Sequence, residues 1–359
     1  MLKENCYGLI LAGGPGMRFW PRSRRQSSRQ VLKFIGERSL IQETFERLKP
    51  YIPPERIWII TNQAIRSKVL EQLPEVPAEQ VLSDPENRST APAIGLVARI
   101  LSSIDPEAVM GVFPSDHAIQ KPARLRRLFG NAFAAANEGK LVVLGLQPRW
   151  PETAYGYMEF PRGTKAGSAL PVPVLKFREK PDERTAKQYI AAERFFWNSG
   201  MFFWRADVLL EKLRLHLPET AAILDALPSF SDRRFAARLK QTFPHCENIS
   251  IDCAVLERAE NLVGIPCEDF GWSDLGSWNA VYEILARNSE TNIAMGDVIC
   301  RASQRNYVDA GGKFVALLGV SDLVVVNTPD ALLVADRRRA REVREIVEQL
   351  EREKREKLL

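Results

Sequence analysis

The chain has 359 residues, 45% of them apolar, enough for one large core and a smaller second one. Its 50 basic and 45 acidic residues leave a formal charge of +5, too small to argue for a nucleic-acid partner. No stretch approaches the roughly 18 apolar residues of a membrane span and no charged-then-apolar leader opens the chain, so a cytoplasmic protein with no membrane partner is expected.

The first informative segment is Leu9 to Lys33, LILAGGPGMRFWPRSRRQSSRQVLK. Leu9, Ile10 and Leu11 form a short apolar run, read as a buried strand. Ala12, Gly13, Gly14 and Gly16 follow, a turn whose backbone N–H groups can approach a ligand with no side chain in the way. Arg18, Arg22, Arg24, Arg25, Arg29 and Lys33 then supply cations and forked donors suited to phosphate oxygens. Two common phosphate motifs fail here. No Gly-Lys-Ser/Thr triplet follows Gly13 or Gly14, and Phe19 stands where a dinucleotide fingerprint beginning at Gly14 needs its third glycine.

Helical and strand-like runs then alternate, as a mainly parallel α/β sheet with helices on both faces requires. Leu40–Leu48 precedes Ile57–Thr61, Ala91–Leu101 precedes Ala108–Phe113, and Leu125–Asn137 precedes Leu141–Leu146. Strand ends in such sheets are where ligands bind. Asp116, in Phe113-Pro114-Ser115-Asp116-His117, ends one of these runs and is suited to a divalent cation; it equally suits a turn cap. The five cysteines, Cys6, Cys246, Cys253, Cys267 and Cys300, are odd in number without C-x-x-C spacing, so they read as reduced thiols rather than a disulfide framework or zinc site. Three histidines are too few for a histidine-rich metal centre.

From about Ser289 the pattern changes to short strand-like pieces at 296–301, 306–309, 313–318, 323–327 and 331–335. The division is therefore residues 1–288 for the large α/β unit and 289–359 for a small β-rich unit. The latter closes with a helix over Arg338–Leu359, where Val343, Ile346, Val347 and Leu350 share one face. This helix is expected to dock on the β region with its last turns frayed. Arg337 to Arg339 reads as a solvated helix start. A homodimer is left open, the apolar repeat being too short to favour a coiled-coil seam.

Leu11 to Ser23 resembles the signature of sugar-nucleotide pyrophosphorylases, and most closely that of the mannose-1-phosphate guanylyltransferases, L-A-G-G-x-G-x-R-x-W-P-x-S, at every fixed position. The P-K-Q that follows in the family is Ser28-Arg29-Gln30 here, so Arg29 keeps the lysine's charge and changes its reach and donor geometry. Further matches are Asp84–Pro92 (DPENRSTAP), Pro-x-Asp-His at Asp116, Phe177–Pro181 (FREKP), Trp197–Met201 (WNSGM) and W-x-D-x-G-x-W around Asp274. The resemblance spans about Leu9 to Ala335. It implies a Rossmann-like nucleotidyltransferase domain followed by a short β-helix, and a Mg²⁺-dependent reaction of GTP with mannose 1-phosphate to give GDP-mannose and pyrophosphate.

On the same resemblance, Arg18, Arg29, Asp116, Lys180 and Asp274 are the catalytic candidates, with Asp116 and Asp274 holding Mg²⁺. Leu11, Ala12, Gly13, Gly14, Gly16, Arg88, Ser89 and Thr90 would bind the nucleotide. Tyr155, Gly156, Glu179, Lys180, Asn198 and Asp252 would bind the sugar phosphate. Taken singly, Glu179 and Lys180 fit a surface pair, Asn198 a turn and Asp252 a helix cap. Trp272 and Trp278 read as packing residues. Two other readings stay open: another nucleoside triphosphate and hexose 1-phosphate pair, and a weakly catalytic sugar-nucleotide-binding regulator. The chain closes before any second catalytic domain, so the isomerase-fused form of the family is not expected.

Overall fold

The Cys6–Ala12 strand lies inside a 10-stranded sheet in the computed structural model of the chain, which describes residues 3–14, 16–288 and 290–359. On one side it pairs in parallel with Ile57–Asn62, which pairs in parallel with Val81–Asp84. On the other side it pairs in parallel with Val109–Pro114. The chain thus leaves the Cys6–Ala12 strand in one direction and returns beyond it in the other, so a crevice opens above these two strands at their C-terminal ends. The glycine turn and Asp116 both emerge there. The boundary expected at Ser289 falls outside the described residues.

The sheet is mixed rather than uniformly parallel. Phe195–Arg205 runs antiparallel between Val109–Pro114 and Leu141–Leu146, and Leu262–Pro266 then pairs in parallel with Leu141–Leu146. Register shifts between Asn198 and Phe202, where Gly200 takes a φ of 72°. This kink within the Trp197–Met201 segment is a bulge of the kind that re-aims side chains.

Both faces are covered, which is why strands such as Leu141–Leu146 are buried at every position instead of alternating. The Thr90–Ile104 and Ala206–His216 helices close one face around Met110, Val112 and Trp204. Leu40–Leu48 and Pro122–Asn137 close the other around Ile10, Phe113 and Phe203. Leu40–Leu48 starts at a capping box between Ser39 and Gln42, which satisfies two amides the helix cannot bond internally.

The C-terminal pieces stack as short parallel coils. Ile293–Met295 pairs with Tyr307–Asp309, which pairs with Leu323–Asn327, while Val298–Arg301 pairs with Val315–Leu318. Fully buried Asn306 joins successive coils. Its Nδ2 donates to Asn292 Oδ1 at 2.9 Å and to the Val320 carbonyl at 3.1 Å, and its Oδ1 accepts from the Leu323 amide at 2.9 Å. A stacked β-helix is what such parallel pairing and side-chain laddering build.

The terminal segment corrects the expectation of fraying. It runs as a 3-10 turn over Arg337–Glu342, an α-helix over Val343–Arg352 and a last turn at Glu356–Leu358. Leu359 is buried, the Leu359 oxygen accepts from the Arg25 amide at 2.6 Å, and Trp20 Nε1 donates to the Leu358 carbonyl at 2.9 Å. Val343, Val347 and Leu350 share a core with Phe19, Trp20 and Trp278. The apolar stripe is spent within the chain, against the segment that follows the glycine turn. Among the described residues no helix is long and apolar enough to cross a membrane.

Candidate active site

The glycine turn is held from beneath. Thr61 Oγ1 donates to the Ala12 carbonyl at 3.0 Å, and the amide and hydroxyl of Ser115 donate to the Leu11 carbonyl at 2.9 and 2.7 Å. Leu11 and Ala12 therefore aim the turn, while Gly13 has open space where a Cβ would stand. Gly16, at φ 63°, lies so close to the next layer that a Cβ would meet the Arg29 amide nitrogen at 3.0 Å. Buried Gln30 donates to the Gly13 carbonyl, and Ser23 Oγ to the Gly16 carbonyl at 2.7 Å. A cavity of about 230 Å³ is bounded by Gly13, Gly14, Gly16, Arg18, Arg29 and Arg344. Burial and the nearby Arg29, Arg341 and Arg344 charges hold Arg18 below the usual guanidinium range, the mark of a cation cluster short of anions.

Arg29 joins the two aspartates of the sequence prediction. Its Nη2 is ion-paired with the Asp116 carboxylate. Its Nη1 donates to the Leu275 carbonyl at 2.9 Å and the Asp274 carbonyl at 3.5 Å. The Asp274 carboxylate turns to Tyr155, whose hydroxyl donates to Oδ1 at 2.8 Å; burial and the Asp274 charge push the Tyr155 phenol well above its ordinary value. His117 stands behind Asp116, its Nε2 3.9 Å from Asp116 Oδ1, and its Nδ1 accepts from Trp272 Nε1 at 3.2 Å. Burial lowers the His117 pKa, so the ring is neutral with its proton assigned to Nε2. Among the described residues no group of three or more His, Cys, Asp or Glu is arranged to hold a metal; the available set is the pair Asp116 and Asp274.

The sugar-side candidates converge on a second cluster. Asn198 Nδ2 donates to Asp252 Oδ1 at 2.8 Å, and Asn198 Oδ1 accepts from the Gly200 amide at 2.8 Å. A Cβ on Gly156 would lie 2.5 Å from Glu179 Oε2 and 3.2 Å from Asn198 Cβ, so only glycine lets these three meet. Glu179 Oε1 pairs with Lys180 Nζ at 3.2 Å, whereas the buried Oε2 has no partner among the described residues. Burial raises Glu179. Burial and then the Glu179 charge push Asp252 up to about 7. Two carboxyls that disfavour each other's charge, one with an unsatisfied oxygen, make a site for hydroxyl donors.

Arg88, Ser89 and Thr90 lie at the start of the Thr90–Ile104 helix. Arg88 pairs with Glu86 at 2.9 Å, and Ser89 holds φ 62° and ψ −164°, a conformation rare outside glycine. The Thr90 hydroxyl accepts from the Ile251 amide at 2.9 Å and the Ala91 amide donates to the Ile249 carbonyl at 3.1 Å, so this helix start is partly tied to the segment that carries Asp252. Among the described residues no hydrogen bond joins Arg88, Ser89 or Lys180 to the Arg29 centre.

Sequence reasoning missed what the terminal segment contributes. Arg341 reaches buried Glu152 through two hydrogen bonds, at 3.1 and 2.7 Å. Burial pushes Glu152 up, yet the bonds from Arg341, Trp150 Nε1 and the Ala154 amide outweigh it and bring the carboxyl down to about 2. A larger cavity, about 750 Å³, opens beside this pair, with Trp150, Tyr155, Trp272 and Asp274 in its wall. Trp278 is fully buried, as a packing residue should be, and its Nε1 donates to the Trp20 carbonyl at 3.0 Å. Trp272 is instead the partner that orients His117. Arg337 lies 3.7 Å over the Tyr282 ring and pairs with Asp322, so only Arg338 and Arg339 behave as a solvated helix start.

The nucleotidyl transferase family model matches residues 7–291, and one described as MannoseP isomerase/GMP-like beta-helix domain matches 296–350. The curated mannose-1-phosphate guanylyltransferase of Escherichia coli (strain K12) is 38% identical, over 98% of this chain and 74% of that protein. The xanthan biosynthesis protein XanB of Xanthomonas campestris pv. campestris (strain B100) is 38% identical over 95% of this chain and 72% of its own length. A crystal structure described as mannose-1-phosphate geranyltransferase from Thermus thermophilus superposes with a TM-score of 0.86 at 32% identity, over 97% of this chain and 99% of that one.

Proposed function

The chain belongs to the nucleotidyl transferase family, among relatives named mannose-1-phosphate guanylyltransferase, and from that premise we propose that it joins GTP to mannose 1-phosphate, forming GDP-mannose and pyrophosphate. The observation that carries the chemistry is Arg29, whose guanidinium ties Asp116 to the Asp274–Leu275 backbone at the mouth of an arginine-lined glycine turn. Base and sugar identity rest on the relatives. We read residues 1–288 as the catalytic unit and 289–359 as the β-rich unit with its terminal helix, in a cytoplasmic setting that the five free thiols suit.

The reaction needs no general base. A phosphate oxygen of mannose 1-phosphate, already anionic at neutral pH, attacks the α-phosphorus of GTP; the new O–Pα bond forms as the bond from Pα to the bridging oxygen of the β-phosphate breaks. That oxygen leaves with its electron pair as pyrophosphate. The protein's work is alignment and charge neutralisation. Gly13, Gly14 and Gly16 offer backbone to the triphosphate, and Arg18 and Arg29 offer forked donors. Arg88, Ser89 and Thr90 would face the nucleoside. Gly156, Glu179, Asn198 and Asp252 would take the sugar hydroxyls, with Lys180 steadying the sugar phosphate and Tyr155 holding Asp274.

The donor set fits Mg²⁺ in kind: the Asp116 carboxylate already holds a cation, the Arg29 guanidinium, the Asp274 carboxylate accepts from Tyr155 while its backbone carbonyl meets Arg29, and magnesium favours one or two carboxylates plus phosphate oxygens. When bound by Asp116 and Asp274 it would neutralise charge on the reacting phosphates.

The test is pyrophosphate release by the purified protein with Mg²⁺, across GTP, ATP, UTP, CTP and dTTP against mannose, glucose, galactose and fucose 1-phosphates. Turnover confined to GTP with mannose 1-phosphate is expected. Turnover with another pair would reassign the substrate, and binding without turnover would favour a regulatory role.

A further inference from the structure

The terminal helix brings a cation to the glycine turn that no other part of the site accounts for. Arg344 bounds the same cavity of about 230 Å³ as Gly13, Gly14, Gly16, Arg18 and Arg29. The helix reaches this point because Val343, Val347 and Leu350 are packed against Phe19 and Trp20, immediately after the turn. Arg341, one helical step earlier, is fully committed to Glu152. Arg344 is not: its Nε donates to Glu348 within the helix at 2.5 Å, and its two Nη groups have no hydrogen-bond partner among the described residues. Arg18, across the cavity, likewise makes no side-chain hydrogen bond among the described residues, and its pKa is lowered in part by Arg344. Two open guanidinium forks facing one small glycine-lined cavity describe a receptor for a polyanion.

We propose that Arg344 binds the β- and γ-phosphates of the nucleoside triphosphate, and hence the pyrophosphate that leaves, so that the phosphate site of the catalytic unit is completed by a residue of the C-terminal unit. The proposal rests on the nucleotidyl-transfer reading but not on the choice of base or sugar, because pyrophosphate is common to every such reaction. Arg344 would be silent toward the nucleotide-sugar product, which lacks the leaving group. A contact of this kind favours substrate over product on the same surface.

The experiment is calorimetric binding of magnesium pyrophosphate, GTP and GDP-mannose to wild type and to Arg344→Ala, Arg344→Lys and Arg339→Ala. Arg344→Ala is expected to weaken pyrophosphate and GTP about tenfold, the size of one charge-assisted hydrogen bond, with GDP-mannose changed less than twofold. Arg344→Lys recovers part of the loss. Arg339→Ala, which removes an exposed arginine paired with Glu342, leaves all three affinities unchanged and controls for net charge. Unaltered pyrophosphate binding in Arg344→Ala would overturn the proposal, as would an equal loss for GTP and GDP-mannose. A wild type that binds pyrophosphate but makes no GDP-mannose would instead reject the guanylyltransferase reading, while the pyrophosphate comparison still decides the role of Arg344.

Discussion

The guanidinium of Arg29 rests on the carboxylate of Asp116, and the other arm of the same fork reaches the carbonyl of Leu275 at 2.9 Å. A cation belonging to the protein thus sits on the carboxylate proposed to take the cation that arrives with the nucleotide. If Asp116 holds the metal as proposed, Arg29 and a divalent ion would compete for it, and the phosphates would relieve the competition by giving the guanidinium a second anion. Arg29→Ala is therefore expected to bind Mn²⁺ several-fold more tightly than wild type without nucleotide, as read by paramagnetic resonance, since an ion pair of this exposure is worth up to about 1 kcal/mol. The same variant should lose at least tenfold in turnover. Equal Mn²⁺ affinity in the two proteins would show that the pair does not guard the carboxylate.

Gly156→Ala places a methyl group 2.5 Å from Glu179 Oε2. The sugar cluster must open to admit it. The expected result is a KM for mannose 1-phosphate raised about tenfold, the effect of one misplaced hydrogen-bonding group, with the KM for GTP within about twofold. A rise confined to GTP would move the sugar site elsewhere.

Asp252 gives the sugar cluster a pH signature. Its folded-state pKa, about 7, is raised above the ordinary 3.8 by burial and Glu179, so the folded protein holds this proton more tightly than the unfolded chain does. The contribution to stability is complete below about pH 4 and is lost as pH rises through 7. Relative to Asp252→Asn, wild type should lose on the order of 2 kcal/mol between pH 4.5 and 8, the full linkage being discounted for water reaching a half-buried group. Denaturant titrations that keep a constant gap across this range would disprove it.

Glu152 behaves in the opposite sense. Its carboxyl is brought down to about 2 from 4.5, so the stability it adds is present above about pH 4.5 and lost as pH falls toward 2. A double-mutant cycle of Glu152→Gln and Arg341→Met should give a coupling of about 1–3 kcal/mol at pH 7, below the range for fully buried pairs because Arg341 is half exposed. The wild-type advantage over Glu152→Gln should shrink between pH 5 and 3.

What the sequence made legible follows from where the physics is local. The helix over Leu40–Leu48 and the strand over Leu141–Leu146 could be bounded from their apolar patterns alone, and the structure has both at those limits. The short strands from Val298 to Asp336 were readable from their local apolar runs, whereas Ile293–Met295, three residues with no buried position, was not. The antiparallel Phe195–Arg205 strand was not: strand direction is a property of pairing between distant segments, and its aromatic run is broken by the Asn198-Ser199-Gly200 segment where the register shifts. The meeting of Arg29 with Asp116 and of Glu152 with Arg341 was hidden for the same reason, since 87 and 189 positions separate the partners. Arg341 and Arg344 carried no signal beyond their spacing, because a charged helix face reads as solvated until the surface it covers is known.

The strand that carries Asn198 is also the seam of the sheet. Val109–Pro114 and Leu141–Leu146 flank it and have no pairing with each other. During synthesis both must wait with bare edges until the Phe195–Arg205 segment is made, and loop-closure cost rises with that delay. Joining of these two strands and placement of Asn198 are consequently one event, with Asp252 and the Leu262–Pro266 strand still to be added. A chain stalled before it exposes one edge of Val109–Pro114 and both edges of Leu141–Leu146, the form in which this protein is most open to aggregation and to capture by chaperones.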